Sequence, residues 1–253
     1  MAHPADHEGM RVKMELEEFL VSAAESLGTP LTADEAGKFM EYMALLSYWN
    51  ERMNLTAIRE DREVIIKHFC DSLTLFTLPE LHVPGARAID VGTGAGLPGV
   101  PLSICRPDWR VDLLDSLKKR GEFLERVKDA LGLHNMRVLT GRAEEFGQDP
   151  EYREKYDFCF ARAVAPLPVL CEYCLPFVAE GGLFVAMKGP GAHSEAELSG
   201  PAAELLGGSV EGIREIRLPE TSDPRALVMI RKICHTPRKY PRKAGKATKS
   251  PLK

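Results

Sequence analysis

The spacing of apolar positions changes character near residue 80. Residues 10–27 place apolar side chains at helical intervals and stop at Gly28-Thr-Pro30. Thr32-Ala-Asp-Glu35 then has the form of a capping box, in which the threonine hydroxyl takes a first-turn amide while the glutamate reaches back. Phe39, Met43, Leu46 and Trp49 predict a helix from there to about Met53, and residues 62–78 predict a third, ended by Pro79. Beyond that point short β-rich runs alternate with helical ones. Strands are predicted at 87–91, 110–114, 136–139, 156–161 and 183–187, with helices near 97–105, 117–131, 167–178 and 195–206. Alternation of this kind packs helices on both faces of a parallel sheet. Two last strands, 210–218 and 225–233, flank a Pro-Glu-Thr-Ser-Asp-Pro turn and suit an antiparallel hairpin, which a purely parallel dinucleotide fold lacks. The expected fold is α/β and Rossmann-like: a seven-stranded, mostly parallel sheet over residues 81–235, preceded by a helical extension (1–80) and followed by a tail (236–253).

The chain has 253 residues, 44% hydrophobic and 28% charged, which excludes collagen-like, disordered and coiled-coil classes. A chain of this length buries roughly 70–75% of its unfolded surface, ample for a real core. Residues 1–9 are polar, with no basic start and apolar stretch, so no signal peptide is expected. No run approaches the ~20 apolar residues of a membrane span, so no membrane association is expected either. Cys70, Cys105, Cys159, Cys171, Cys174 and Cys234 are scattered through mostly apolar segments, as reduced core thiols are, which points to the cytoplasm. The net charge of −4 conceals an asymmetry. Residues 231–253 carry nine basic side chains and no acid, leaving −13 on the rest. A basic, Pro- and Gly-punctuated tail on an acidic body suits a polyanionic partner, although a solvated tail that aids solubility has the same composition.

The sharpest local signal is Asp90-Val-Gly92-Thr-Gly94-Ala-Gly96-Leu97-Pro-Gly99, an apolar strand running into alternating glycines and a helix start. Glycine lets the backbone turn tightly and approach a ligand closely. Gly94, Gly96 and Gly99 satisfy the dinucleotide pattern, with Asp115 about 20 residues on for a ribose, so an NAD(P)-binding oxidoreductase is one candidate. Asp90 argues for the other. A carboxylate before the turn repels a pyrophosphate, whereas S-adenosylmethionine has no phosphate and carries a sulfonium and an ammonium. Asp115, ending the second strand, is placed to accept hydrogen bonds from both ribose hydroxyls; capping the next helix is its alternative role. Gly141-Arg-Ala143-Glu144 follows the third strand, where such sheets place the adenine.

Taken together these residues resemble the RsmG (GidB) family of 16S rRNA guanine-N7 methyltransferases, over about residues 40–245. The matching pieces are Trp49-Asn50 with Asn54-Leu-Thr56, His68-Phe-Cys-Asp71-Ser-Leu73, the Asp90–Gly99 loop, Asp115-Ser-Leu-Lys-Lys-Arg120, Arg162-Ala163, Lys188-Gly189, and Pro237-Arg-Lys-Tyr-Pro-Arg-Lys-Ala-Gly245. The resemblance implies a class I methyltransferase fold and S-adenosyl-L-methionine as cofactor, contacted by Gly92, Leu97, Ala143, Glu144 and Arg162, beside Asp90, Gly94, Gly96 and Asp115 argued above. Arg162 would hold the methionine carboxylate; surface ion pairing is its plainer role. The implied substrate is one guanine in the decoding-region loop of 16S rRNA in the small ribosomal subunit, and a monomer is expected to act on it.

The chemistry agrees with that resemblance through what is missing. Phe160-Ala-Arg162-Ala-Val-Ala-Pro166 is not the polar-Pro-Pro-aromatic loop that holds an exocyclic amine, and the chain has no Pro-Cys pair to supply a nucleophile for pyrimidine carbon 5. Guanine N7 has an in-plane lone pair and no proton to lose, so alignment suffices and no catalytic acid or base is expected. Lys188 and Arg225 are candidates for base or phosphate contacts, with surface charge the plainer reading. Cys171-Glu-Tyr-Cys174 resembles half a zinc site without the other half, so no metal is expected. His68, Tyr48 and Trp49 read as core residues by their helical spacing, and a non-catalytic RNA-binding protein remains a third functional class.

Overall fold

The structure, a computed structural model, describes residues 4–253; the expectation for the polar start at 1–9 lies partly outside them. Helices α1 (Pro4–Ser26) and α2 (Ala33–Met53) open the chain. The capping box forms as the spacing requires: Thr32 Oγ1 accepts from Glu35 N and Thr32 N donates to the Glu35 carboxylate at 2.7 Å. The third helical stretch differs from the regular helix expected. It runs through α3 (Asp61–Val64), a π-helical segment (Ile65–Cys70), α4 (Asp71–Leu73) and a 3-10 turn (Thr74–Thr77). An inserted π turn leaves the apolar pattern almost intact and is therefore invisible to periodicity.

Strands β1 (Arg87–Val91), β2 (Arg110–Asp115), β3 (Met136–Thr140), β4 (Tyr156–Arg162), β5 (Val178–Lys188), β6 (Gly208–Arg217) and β7 (Pro224–Lys232) form one sheet in the order β3-β2-β1-β4-β5-β7-β6. The first five are parallel, and β7 pairs antiparallel with both β5 and β6. Helices α5 (Gly99–Cys105), α6 (Lys118–Leu131), α7 (Ala143–Phe146), α8 (Leu167–Cys174) and α9 (Ala192–Leu205) lie between the strands, and α10 (Lys246–Lys249) follows them. β5 starts five residues before the predicted run, because Gly181 at φ +79 with Gly182 lets the strand bend and continue where a turn was expected. The helix expected to reach residue 178 ends as α-helix at Cys174, and Leu175–Phe177, which carries Pro176, tightens to a 3-10 turn.

Alternate residues of each strand face opposite layers. Ala88, Val111, Leu113, Phe158, Phe160 and Val185 share one core with α1, α2, α5 and α6, while Ile89, Leu114, Cys159, Ala161, Phe184 and Val228 share another with α8 and α9. The helical extension shares the first of these cores: Phe39 and Tyr42 of α2 pack on Phe69 at ring separations of 5.0 and 5.5 Å. All six cysteines are free, and Cys171 and Cys174 are fully buried core side chains. Among the described residues no helix is long and apolar enough to cross a membrane, and no group of His, Cys, Asp and Glu could hold a metal. Trp49 packs against the core, with its ring 6.2 Å from Phe123, but Tyr48 does not; it is 55% exposed, with the Arg52 guanidinium 4.0 Å above its ring.

Candidate cofactor cleft

Parallel strands that all run one way leave their C-terminal ends at one edge, and ligands bind in the crevice outside that edge where strand order reverses. Here the reversal falls between β1 and β4, and a cleft of about 390 Å³ opens there. That volume lies in the range of small-molecule sites. Seven of the nine residues singled out in the sequence line it: Gly92, Gly94, Leu97, Asp115, Ala143, Glu144 and Arg162.

Asp90 and Gly96 are the two that do not, and both act from beneath the loop. Asp90 is completely buried; its Oδ2 accepts from Thr93 Oγ1 at 2.6 Å and from Gly99 N at 2.8 Å, while Oδ1 has no hydrogen-bond partner among the described residues. Burial raises its pKa to about 6, with those two hydrogen bonds and the positive charge of Arg162 holding it from rising further. Gly96, at φ +97, faces the helical layer. A Cβ there would sit 2.6 Å from Val100 Cγ2 and 2.8 Å from Leu124 Cδ2, so its glycine serves packing and not ligand approach. Gly92 behaves as expected: at φ +72, a Cβ would stand 2.7 Å from Val164 Cγ2 at the cleft wall. Tyr42 of α2 donates to Ala95 O at 2.5 Å, so the helical extension also fixes the loop.

Asp115 performs the capping role and holds the loop at once. Oδ1 accepts from Leu117 N at 2.9 Å, and Oδ2 accepts from Gly94 N at 3.0 Å and Arg120 Nη1 at 3.1 Å. A carboxylate offers about four acceptor positions, so roughly one remains for a ribose hydroxyl unless Arg120 turns away. The two carboxylates also occupy donors of the loop. The amides of Gly94 and Gly99, which a pyrophosphate over this turn would need, are already donated to Asp115 and Asp90.

Arg162 does not form the surface ion pair suggested as its plainer role; its pair is internal. Its Nη1 donates to Asp71 Oδ2 at 2.9 Å and to Lys67 O at 3.1 Å, and Asp71 is buried. Asp71 Oδ1 also meets Arg225 Nε at 3.3 Å. His68 completes the cluster. Thr56 Oγ1, which accepts from Ile58 N, lies 2.8 Å from His68 Nε2, and His68 Nδ1 lies 3.1 Å from Lys67 O and 3.3 Å from Arg162 Nη2, a group that can only donate. Burial, and then the charge of Arg162, lowers the His68 pKa to about 4, so the ring is neutral. Of the Arg162 guanidinium hydrogens, the one on Nε and the second on Nη2 have no protein partner among the described residues. Sequence reasoning missed Asp71 as the anion joining two arginines, because the π turn that sets its direction leaves no trace in periodicity. Lys188 and Arg225, suggested for RNA contacts, are both paired: Lys188 Nζ lies 2.8 Å from Glu195 and 2.9 Å from Ala165 O.

Comparison with known proteins agrees with this geometry. The family model described as "GidB: rRNA small subunit methyltransferase G" matches residues 35–222. The chain is 48% identical to a ribosomal RNA small subunit methyltransferase G of Acetivibrio thermocellus over 240 residues, 95% of this chain and 98% of that one. It is also 48% identical to a protein of the same description from Pelotomaculum thermopropionicum over 237 residues, 94% of this chain and 99% of that one. Among solved structures, a variant of the 16S rRNA (adenine(1408)-N(1))-methyltransferase from Catenulisporales acidiphilia shares the fold at 13% identity, with a TM-score of 0.51 over 61% of this chain and 88% of that one. Nothing in these likenesses supports the oxidoreductase alternative. The strand order, the acid-lined glycine loop and the match along most of its length place the chain in the GidB family of rRNA small subunit methyltransferases.

Proposed function

We propose that the protein transfers a methyl group from S-adenosyl-L-methionine to N7 of one guanine in 16S rRNA, acting as a cytoplasmic monomer on the small ribosomal subunit. The observation that carries this reading is the consumption of the loop amides by Asp90 and Asp115, which puts one carboxylate on the cleft at Asp115 and a second beneath the loop at Asp90 and suits a cationic donor. When bound, S-adenosylmethionine supplies an electrophilic methyl on a sulfonium. The residues of the chain bind and orient. The charge of Asp90 and its unpartnered Oδ1 favour the ammonium and sulfonium from below the loop. The free N–H groups of Arg162 hold the methionine carboxylate, Asp115 accepts from the ribose, and Ala143 with Glu144 bounds the adenine side. Guanine N7 needs no base, so the neutral His68 beside the cleft orients neighbours and moves no proton.

Six exposed cations near the C-terminus, Arg238, Lys239, Lys243, Lys246, Lys249 and Lys253, supply sequence-independent phosphate contacts. The grooves of an A-form duplex hide the guanine major-groove edge, so the target is a looped or opened strand. Incubation of 30S particles lacking the modification with labelled cofactor, followed by mapping of N7-methylguanine, tests the proposal. Label on that base is expected. Tight binding of the particle without transfer would favour the non-catalytic RNA-binding alternative, and stabilisation by NADH instead of S-adenosylhomocysteine would overturn the cofactor assignment.

A further inference from the structure

The segment after β7 carries the basic residues that suggested a free arm, yet much of it is folded onto the methyltransferase body. Tyr240 and Ala247 are 7% and 1% exposed. Arg153 donates to Tyr240 O at 2.8 Å and to Thr236 O at 2.7 Å, and Gln148 donates to Pro241 O at 2.8 Å. Three further contacts reach the two elements that form one wall of the cofactor cleft. Arg242 grips Glu172 of α8, a side chain 1% exposed, through Nε at 2.8 Å and Nη2 at 2.6 Å, with its own backbone N on the same carboxylate at 2.8 Å. Next to Glu172, Tyr173 lines the cleft and pairs its hydroxyl with Thr248 Oγ1 at 3.0 Å. Gly245 N donates at 3.0 Å to Oε1 of Glu144, which lines the cleft from the short helix α7.

A four-residue helix such as α7 has no stability of its own, since helix nucleation is unfavourable and few of its amides are paired internally. Its place must come from tertiary contacts. Two of the contacts that fix this wall, at Glu144 and Tyr173, come from residues more than seventy positions later. We propose that residues 236–253 form a strap whose inner face positions the α7–α8 wall of the cleft, with Arg242 as its principal positioning residue, so that the segment sets affinity for the cofactor and not only for RNA. The inference rests on the cofactor assignment above. A bidentate arginine on a fully buried carboxylate fixes both distance and angle, which a single ammonium cannot do.

The test uses the full-length enzyme and S-adenosylhomocysteine as the probe, with the dissociation constant read by calorimetry. Arg242→Ala removes the grip, and Arg242→Lys keeps the charge with a single contact. Because the alanine variant leaves the Glu172 carboxylate buried and unpaired, a Glu172→Gln/Arg242→Gln double variant guards against misfolding. Thr248→Val removes only the Tyr173 contact. The dissociation constant is expected to rise about three- to tenfold in Arg242→Ala and in the double variant, less in Arg242→Lys, and about twofold in Thr248→Val, the scale of one to two net hydrogen bonds. The KM for S-adenosylmethionine should rise with it, while kcat at saturation and the KM for 30S particles stay put. Unchanged affinity for the probe in variants that merely melt earlier would overturn the strap, as would a change confined to the KM for RNA. Failure of the unaltered enzyme to bind the probe would instead sink the cofactor assignment itself.

Discussion

Replacing Asp90 by Asn should stabilise the protein at neutral pH while weakening its hold on the cofactor. The folded protein raises this carboxyl from 3.8 to about 6 because it is buried with one oxygen unpartnered. Between those two values the folded state binds the proton that the unfolded chain has released. Stability is therefore fully present below pH 3.8 and is lost as pH rises through 6, by about 3 kcal/mol in all, at about 1.36 kcal/mol for each pH unit separating the two values. Asn keeps the carbonyl that accepts from Thr93 and Gly99 and never acquires the charge. Its amide nitrogen takes the unpartnered position, which costs about 1–3 kcal/mol at every pH. The informative quantity is thus how the stability difference between the two proteins moves with pH. Denaturant melts from pH 4 to pH 8 should show the difference swinging toward the variant by about 2.5 kcal/mol, roughly 5–10 °C in melting temperature for a chain of this size. His68 titrates in the same window with the opposite sign. Its folded pKa of about 4 means stability is lost as pH falls below 6.5, but both proteins share that loss and it cancels. Affinity for S-adenosylhomocysteine, whose ammonium the Asp90 charge favours from beneath the loop, should fall tenfold or more in Asp90→Asn. A stability difference that stays flat with pH would refute the claim that a destabilised buried carboxylate waits under the loop, and unchanged affinity would refute its role in binding.

Other substitutions separate packing from binding. Gly96→Ala meets both a φ of +97 and the side chains of Val100 and Leu124, and should cost about 2–4 kcal/mol in denaturant melts while leaving the folded fraction's affinity for S-adenosylhomocysteine intact. Asp71→Asn leaves Arg162 and Arg225 without their shared anion and should cost up to about 3 kcal/mol; Arg225→Ala should cost less, since Asp71 keeps Arg162. Alanine at Arg238, Lys239, Lys243 and Lys246 together should flatten the log-affinity against log-salt slope for 16S rRNA by about 0.7 for each phosphate that the variant no longer neutralises. An unaltered slope would show that the RNA lies elsewhere.

The sheet was legible in the sequence because the alternation that marks each strand also sorts its side chains between the two layers. Ala88 and Ile89, or Phe158 and Cys159, already announce opposite faces. The loop was legible as well, since Gly92 and Asp115 stand where strand-end chemistry puts them. What the sequence did not disclose was direction within a turn. Asp90 and Gly96 belong to the loop yet do not line the cleft, and the π turn at Ile65–Cys70 aims His68 and Asp71 at Arg162 without disturbing the apolar pattern. Periodicity reports which face a residue is on, but a single inserted residue or one positive φ redirects a side chain at no cost to that signal.

The C-terminal segment shows the same limit in charge. Nine cations without an acid look like a free electrostatic arm when counted along the chain. In the folded protein Arg231, Lys232 and Arg242 meet Glu211, Glu154 and Glu172, acids supplied by distant elements, and Lys232 is completely buried with its pKa lowered by desolvation. Three of the nine cations are therefore neutralised by the acidic body inside the molecule before any RNA arrives. The apolar residues interleaved with the cations were the overlooked signal: a purely solvated arm has no use for Tyr240, Ala247 or Leu252, and each of these packs against the body. A segment that alternates such anchors with cations is built with two faces, one bound to its own protein and one left for phosphate.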